Sequence, residues 1–196
     1  MVKLKTKTIN ALLWSSIERF SVQGIQFFLG IVLARILFPA DYGLIGMIAI
    51  FISISQSLVD SGFSQALIQK KDACERDFNT VFYFNIIVAT IVYGVLYLIA
   101  KPIAVFYGEP LLELLVKMVS LNIVFSSFSV VHLAKLSRDL NFKLQTKISL
   151  ISIIVSGACA IYFAHQGFGV WALVAQGLFK NGINSLLLFV FSNWKP

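Results

Sequence analysis

Residues 78–100 read FNTVFYFNIIVATIVYGVLYLIA, a run of 23 residues without a charged side chain. About 20 apolar residues in helical conformation cross the hydrocarbon core of a bilayer, and a run of this length is too long for a buried strand. The whole chain is 58% hydrophobic, contains 18 Phe and has a mean hydropathy of +0.86. These values exceed what a soluble domain buries, so the sequence predicts an integral membrane protein.

Five further stretches have the same apolar character, and the segments between them contain Pro, Gly or charged residues that favour turns. We therefore predict an all-α, polytopic membrane bundle of six transmembrane helices, forming one lobe over residues 1–196. The predicted spans are residues 8–37, 42–59, 78–100, 111–133, 144–164 and 170–192. The predicted connections are residues 38–41, 69–77, 101–110, 134–143 and 165–169. Such short connections leave no room for a soluble catalytic domain.

Lysine and arginine are distributed unevenly between the two sides of the predicted bundle. Cations accumulate on the cytoplasmic side of short loops, and one side has only Arg35 and Lys101. We therefore predict that both termini are cytoplasmic. The net charge of +7 then reflects topology and attraction to anionic membrane lipid, and we expect no nucleic-acid partner. The residues assigned to the cytoplasmic side are Lys3, Lys5, Lys7, Lys70, Lys71, Arg76, Lys135, Arg138, Lys143, Lys147 and Lys195.

Two predicted spans carry a cation near their middle, Arg19 in the first and Lys180 in the sixth. A charge at a helix centre costs about 2.5–3.5 kcal/mol on insertion scales, and such residues usually face a bundle interior or a wet cavity. Both cations belong to polar stripes at helical spacing. This pattern indicates a protein that handles something anionic. The stripes are Ser16, Arg19, Gln23, Gln26 and Gly30 in the first span and Gln176, Lys180 and Asn184 in the sixth.

The second span has a polar face of a different kind, with small residues toward one end and an acid at the other. Small and amide side chains on a membrane helix also serve close packing and interhelical hydrogen bonds, and we favour that interpretation for the first four members. The corresponding alternative for Arg19 and Lys180 is an internal ion pair with Glu18, which leaves one of the two cations uncompensated. The members of this face are Gly46, Ala49, Ser53, Gln56 and Asp60.

Patterns that indicate catalysis or metal binding do not occur in the sequence. It has no His/Cys/Asp/Glu cluster at metal-ligand spacing, no phosphate-binding glycine-rich loop and no acidic pair such as membrane transferases use. Cys74 and Cys159 fall in different environments, and His132 and His165 are isolated. We therefore expect a protein that is not an enzyme and has no catalytic residue, metal or cofactor.

Residues 8–15 (TINALLWS), 33–43 (LARILFPADYG) and 60–68 (DSGFSQALI) together resemble the N-terminal half of a known family. The family that they resemble is the Wzx-type polysaccharide flippases, which include O-antigen flippases of lipopolysaccharide biosynthesis. This family is part of the multidrug/oligosaccharidyl-lipid/polysaccharide exporter superfamily. The similarity continues in residues 170–173 (VWAL) and 193–196 (NWKP). It implies a bacterial inner-membrane transporter that carries a polyprenyl-diphosphate-linked sugar between leaflets. It also implies a second six-helix lobe, since family members place two lobes around a central cavity.

With a diphosphate head group as the implied substrate, Arg19 and Lys180 are the expected anion-binding residues. Cationic side chains that face a cavity replace the water around phosphate oxygens. The lipid tail is expected to remain in the bilayer. Amide side chains on the same faces are expected to donate hydrogen bonds to phosphate or to sugar hydroxyls, and these are Gln23, Gln26, Gln176 and Asn184.

Glu18 and Asp60 are the expected coupling residues, because a carboxylate in a low-dielectric environment can change its charge with conformation. Two other functions remain open. One is a multidrug-type exporter lobe of the same superfamily, against which the cationic stripes argue. The other is a non-catalytic membrane subunit that acts only through a partner.

Overall fold

The computed structural model describes residues 2–59, 63–70, 74–192, 194 and 196, and side chains from residue 13 onward except those of residues 63 and 64. Within this part of the chain there are seven helices and no strand. Six of the helices are long and apolar enough to cross a membrane, so the prediction of an all-α protein with six spans is confirmed. The helices are α1 (Val2–Ile36), α2 (Pro39–Val59), α3 (Phe63–Gln69), α4 (Glu75–Tyr107), α5 (Leu111–Arg138), α6 (Phe142–His165) and α7 (Val170–Phe191).

Several helices extend beyond the predicted spans. α4 runs to Tyr107 instead of ending at Ala100, with Pro102 inside it. The helix stops at Gly108, whose φ of 70° is the left-handed conformation that glycine adopts at little cost. Its N–H donates to the carbonyl of Val105 over 3.2 Å. α5 likewise continues to Arg138, and the short helix α3 was not predicted.

The helices pack in a chain of neighbours in which α5 and α7 are central. α5 lies against α4 and α7, and α6 lies between α7 and α1. α1 contacts α6 through an apolar cluster that includes Leu33 and Ala160. At Gly157 the absence of a side chain lets Leu29 of α1 approach closely, since an added Cβ would lie 2.5 Å from its Cδ1. Small residues thus set the α1–α6 spacing, as is common between membrane helices.

The polar face of α2 differs from its predicted role. Gly46, Ala49 and Ser53 are exposed, and nothing lies within 4 Å of a Cβ added at Gly46. The packing interpretation is therefore wrong for these three residues within this chain. The reason is that α2 reaches α4 and α5 with a different side, which buries Ile48, Ser55 and Val59. Gln56 does act across helices, donating to Ser126 Oγ on α5 over 3.5 Å.

Trp194, which follows α7, packs on α4 and α5. Trp194 is 3% exposed, and its ring centroid lies 5.7 Å from that of Phe82 and 6.2 Å from that of Phe78. His132, isolated in the sequence, is fully buried in the same cluster with its ring 5.1 Å from Trp194. These aromatic contacts tie the end of the described chain to the helices that precede it.

Candidate functional site

A cavity of about 700 Å³ lies between α1, α6 and α7 and reaches the end of α5. α1 and α7 do not pack on each other to any extent within the described residues, because α6 separates them. The gap between them is lined mainly by polar side chains, so it can hold water or a polar ligand. The polar residues at its wall are Ser15, Glu18, Arg19, Gln23, Ser137, Gln145, Ser149, Ser152, Lys180, Asn181 and Asn184.

The two mid-span cations line this one cavity. Arg19 is exposed and Lys180 is half-buried. Among the described side chains neither cation lies in an ion pair. The alternative pairing of Arg19 with Glu18 is not formed, and the Glu18 carboxylate instead accepts a hydrogen bond from Ser149 Oγ over 2.8 Å. The cavity therefore has two cations and one carboxylate, and a positive balance that suits an anionic ligand.

Helical geometry explains how each cation acquires an amide neighbour. Gln23 is four residues after Arg19 on α1, and Asn184 is four residues after Lys180 on α7, so each amide lies one turn from its cation on the same face. All four side chains line the cavity. A cation with an adjacent N–H donor is a common arrangement for binding phosphate oxygens.

The α6 wall was missed by sequence reasoning. It consists of Gln145, Ser149 and Ser152, which follow i, i+4, i+7 spacing on one helix face. The same spacing rule that identified the stripes in the first and sixth spans would have found it. Gln145 Oε1 is buried and has no hydrogen-bond partner among the described residues. Because buried polar atoms are usually satisfied, this oxygen is a free acceptor at the cavity wall.

Asn181 lies next to Lys180 in the sequence and connects the cavity to the centre of the bundle. Its Nδ2 donates to Asn122 Oδ1 on α5 over 3.0 Å. Gly177, one turn earlier on α7, lies so close that an added Cβ would be 3.2 Å from Asn122 Nδ2. This contact holds α7 against α5 beside Lys180.

Two of the described site residues that the sequence predicted do not line this cavity. Gln26 and Gln176 are half-buried. Gln26 lies about one turn after Gln23 on α1, and Gln176 lies about one turn before Lys180 on α7, and neither lines the cavity. Asp60 lies outside the described residues. The structure therefore brings together five of the eight predicted residues. No cluster of three His, Cys, Asp or Glu suited to a metal ion occurs in the part of the chain that is described.

Comparison with known families gives one match over most of the chain. The sequence model of a family described as "Polysaccharide biosynthesis protein" matches residues 32–196. This range contains α2 to α7 and the last residues of α1, and so includes Lys180 and the α6 wall of the cavity. No solved structure is similar.

Several curated bacterial proteins are similar to the chain. The succinoglycan biosynthesis transport protein ExoT of Rhizobium meliloti (strain 1021) is 29% identical over the whole chain and 39% of its own length. The lipopolysaccharide biosynthesis protein WzxC of Escherichia coli (strain K12) is 24% identical over 94% of the chain and 37% of its own length. The teichuronic acid biosynthesis protein TuaB of Bacillus subtilis (strain 168) is 28% identical over 72% of the chain and 30% of its own length. The chain thus spans less than two fifths of each relative.

Proposed function

The chain belongs to the polysaccharide biosynthesis protein family, and from that premise we propose that it is one lobe of a flippase for polyprenyl-diphosphate-linked oligosaccharide. In this proposal the flippase acts in the bacterial inner membrane during surface-polysaccharide synthesis. The names of the relatives ExoT, WzxC and TuaB refer to biosynthesis or transport of such polymers. The observation that carries the proposal is the shared cavity of Arg19 and Lys180.

The chemistry of that cavity fits a diphosphate better than an organic cation. A diphosphate carries negative charge through a layer where bare ions are unstable, and two cations with adjacent amides replace its hydration. The hydroxyl and amide groups of α6 offer partners for sugar hydroxyls. A multidrug-type exporter of organic cations would need the opposite charge balance, which disfavours that alternative. The proposed protein moves its substrate without changing it chemically.

A second lobe is part of the proposal. Relatives are more than twice the length of this chain, so the second lobe is either the remainder of a longer chain or another chain. The face of α2 that contains Gly46, Ala49 and Ser53 is exposed and is available to it. In this arrangement both termini of the lobe face the cytoplasm, which stays a prediction from the distribution of cations.

Glu18 is the proposed coupling residue of the cavity. Its carboxylate faces the same space as the two cations and is held by a neutral hydroxyl, so its charge influences the binding of an anion directly. Asp60 remains a predicted coupling residue outside the described part of the chain. A proton or cation that binds to such a carboxylate would then change the charge next to the head group. This change in charge would couple its binding to the movement of the substrate.

The experiment uses a complete two-lobe protein that carries this sequence, in cells whose surface polysaccharide depends on it. Arg19→Ala and Lys180→Ala should each abolish surface display with normal insertion, and Arg19→Lys should retain part of it, because charge is what the head group needs. Arg35→Ala is the matched control. Arg35 lies on the same helix about 24 Å from Arg19, outside the cavity, and its loss should leave display unchanged. Normal display from both alanine variants would overturn the proposal and favour a non-catalytic subunit role.

A further inference from the structure

Asn122 on α5 contacts two successive turns of α7. Its Oδ1 accepts a hydrogen bond of 3.0 Å from Nδ2 of Asn181. One turn earlier on α7, a Cβ added at Gly177 would lie 3.2 Å from Asn122 Nδ2 and 3.4 Å from its Oδ1. The amide of Asn122 thus packs on one particular face of α7, because Gly177 leaves room for it and Asn181 binds it.

The orientation of the Asn122 amide is set within α5. Its Nδ2 donates to the carbonyl of Val119, one turn earlier on the same helix, over 3.0 Å. This bond turns Oδ1 toward α7, where it accepts from Asn181. The contact therefore has a defined direction, in which α5 supplies the acceptor and α7 supplies the donor.

The surroundings of the Asn122–Asn181 pair make it costly to break. Both side chains are half-buried, and their neighbours Ile123 on α5 and Leu178 on α7 belong to the apolar core cluster or pack against it. A buried amide that loses its partner costs about 1–3 kcal/mol, because it is desolvated without compensation. The pair therefore holds α7 in one rotation about its own axis.

The direction of Lys180 depends on that rotation. Lys180 precedes Asn181 and lies about 100° from it round the helix. While Asn181 is held by α5, Lys180 lines the cavity between α7 and α1. Lys180 forms no ion pair with the described side chains, so its own charge does not fix its position. The contact that its neighbour makes with Asn122 does so instead.

Loss of the Asn122 acceptor has a predictable effect on α7. The Nδ2 group of Asn181 would lose its partner on α5 and would be driven toward water. Asn181 already borders the polar cavity, which offers the nearest space for water. A rotation of α7 that moves Asn181 further into this cavity moves Lys180 away from its centre.

We propose that Asn122 is a positioning residue for Lys180, which it keeps directed into the cavity by holding Asn181. This assignment rests on the proposed function, in which Lys180 binds the diphosphate. It extends that function to a residue on α5 that does not itself line the cavity. Asn122 acts on the substrate only through α7.

Cysteine labelling of the 196-residue chain in nanodiscs tests the assignment. The native Cys74 and Cys159 are replaced by serine, and Lys180→Cys reports access from the cavity. The measured quantity is its rate of reaction with a small, water-soluble methanethiosulfonate reagent, followed by intact-protein mass. A second reporter, Asn184→Cys, lies one turn further on the same face of α7 and also lines the cavity.

Asn122→Leu removes the acceptor and keeps a side chain of similar size. It should lower the labelling rate at Lys180→Cys about tenfold, which corresponds to about 1.4 kcal/mol. The rate at Asn184→Cys should fall as well, because the whole helix turns. Asn122→Ala frees Asn181 in the same way and replaces Asn122→Leu if that variant does not fold.

The double variant Asn122→Leu/Asn181→Leu separates positioning from general stability. It should restore labelling at Lys180→Cys, because no unpaired amide remains and an apolar pair of similar shape is nearly neutral. Ser126→Ala is the matched control. Ser126 lies one turn after Asn122 and accepts a hydrogen bond from Gln56 on α2 over 3.5 Å, so its loss affects a different helix and should leave the labelling rate unchanged.

Two results would overturn the assignment: a labelling rate at Lys180→Cys that loss of the Asn122 acceptor leaves unchanged, or a double variant that labels no faster than the single variant. The labelling requires neither substrate nor transport. The expected labelling pattern together with normal surface display from Lys180→Ala would reject the proposed function and keep the positioning role of Asn122, so the two failures are distinguishable.

Discussion

Ser149 on α6 donates a hydrogen bond of 2.8 Å to Oε1 of Glu18 on α1. The bond crosses the interface that forms one wall of the cationic cavity, and it holds the carboxylate with a neutral group. Arg19 follows Glu18 in the sequence but lies about 100° round the helix, so it stays open to the cavity. This single contact keeps Glu18 and Arg19 from neutralising each other and leaves two cations available to a ligand.

Removal of the Ser149 hydroxyl should weaken the contact between α1 and α6. Hydrogen bonds between membrane helices contribute about 0.6 kcal/mol on average and up to roughly 1.7 kcal/mol, so Ser149→Ala should lower the unfolding free energy by that amount. Unfolding in mixed micelles with increasing dodecyl sulfate measures it. Ser152→Ala is the matched control, since Ser152 Oγ donates to the carbonyl of Ile148 on its own helix. An equal loss from both variants would contradict the role of Ser149.

A side chain at Gly157 should force Leu29 to move. A Cβ there would lie 2.5 Å from Leu29 Cδ1 and 2.7 Å from its Cδ2, so Gly157→Ala should cost about 1–3 kcal/mol through overpacking. The double variant with Leu29→Ala should recover part of that loss. Gly94→Ala, at a position with open surroundings, should instead stabilise by about 0.5–1 kcal/mol, because alanine is the better helix former. Purely additive effects of the Gly157 and Leu29 changes would refute the close contact.

Trp194 should be an anchor for the segment that follows α7. Its side chain is 3% exposed and packs on Phe78, Phe82 and His132. Truncation of a buried aromatic residue costs about 3–5 kcal/mol, so Trp194→Ala should lower the thermal midpoint strongly. Phe106→Ala removes a ring that is 81% exposed and should change stability by less than about 0.5 kcal/mol. Similar midpoints for the two variants would show that the aromatic cluster contributes little.

The predicted orientation in the membrane can be checked by cysteine labelling. Cys74 is exposed just before α4, and Glu109 is exposed between α4 and α5, so the two positions lie at opposite ends of α4. On intact spheroplasts a membrane-impermeant reagent should modify Glu109→Cys and leave the native Cys74 unmodified until the cells are opened. The reverse labelling pattern would place the termini outside the cytoplasm and reject the orientation inferred from the cations.

The sequence by itself determined the class of protein, the number of spans and the polar faces that matter. Hydropathy over about 20 residues is a local property, and so is the 3.6-residue period that groups Arg19 with Gln23 and Lys180 with Asn184. For that reason six spans were predicted correctly, and five of the eight predicted site residues line one cavity. The helix ends were less accurate, because Pro102 does not end α4 and the left-handed conformation of Gly108 does.

Only the tertiary structure decided which faces meet. Gly46 and Gly157 look alike in the sequence, but Gly46 has open space beside it and Gly157 receives Leu29 from α1. Neither the pairing of Glu18 with Ser149 nor the burial of Trp194 follows from spacing along one helix, since each depends on residues more than 60 positions apart. The face of α7 that contains Lys180 borders a cavity for the same reason. Which helix lies on each side of it is set by the packing of the whole bundle, and no local pattern contains that information.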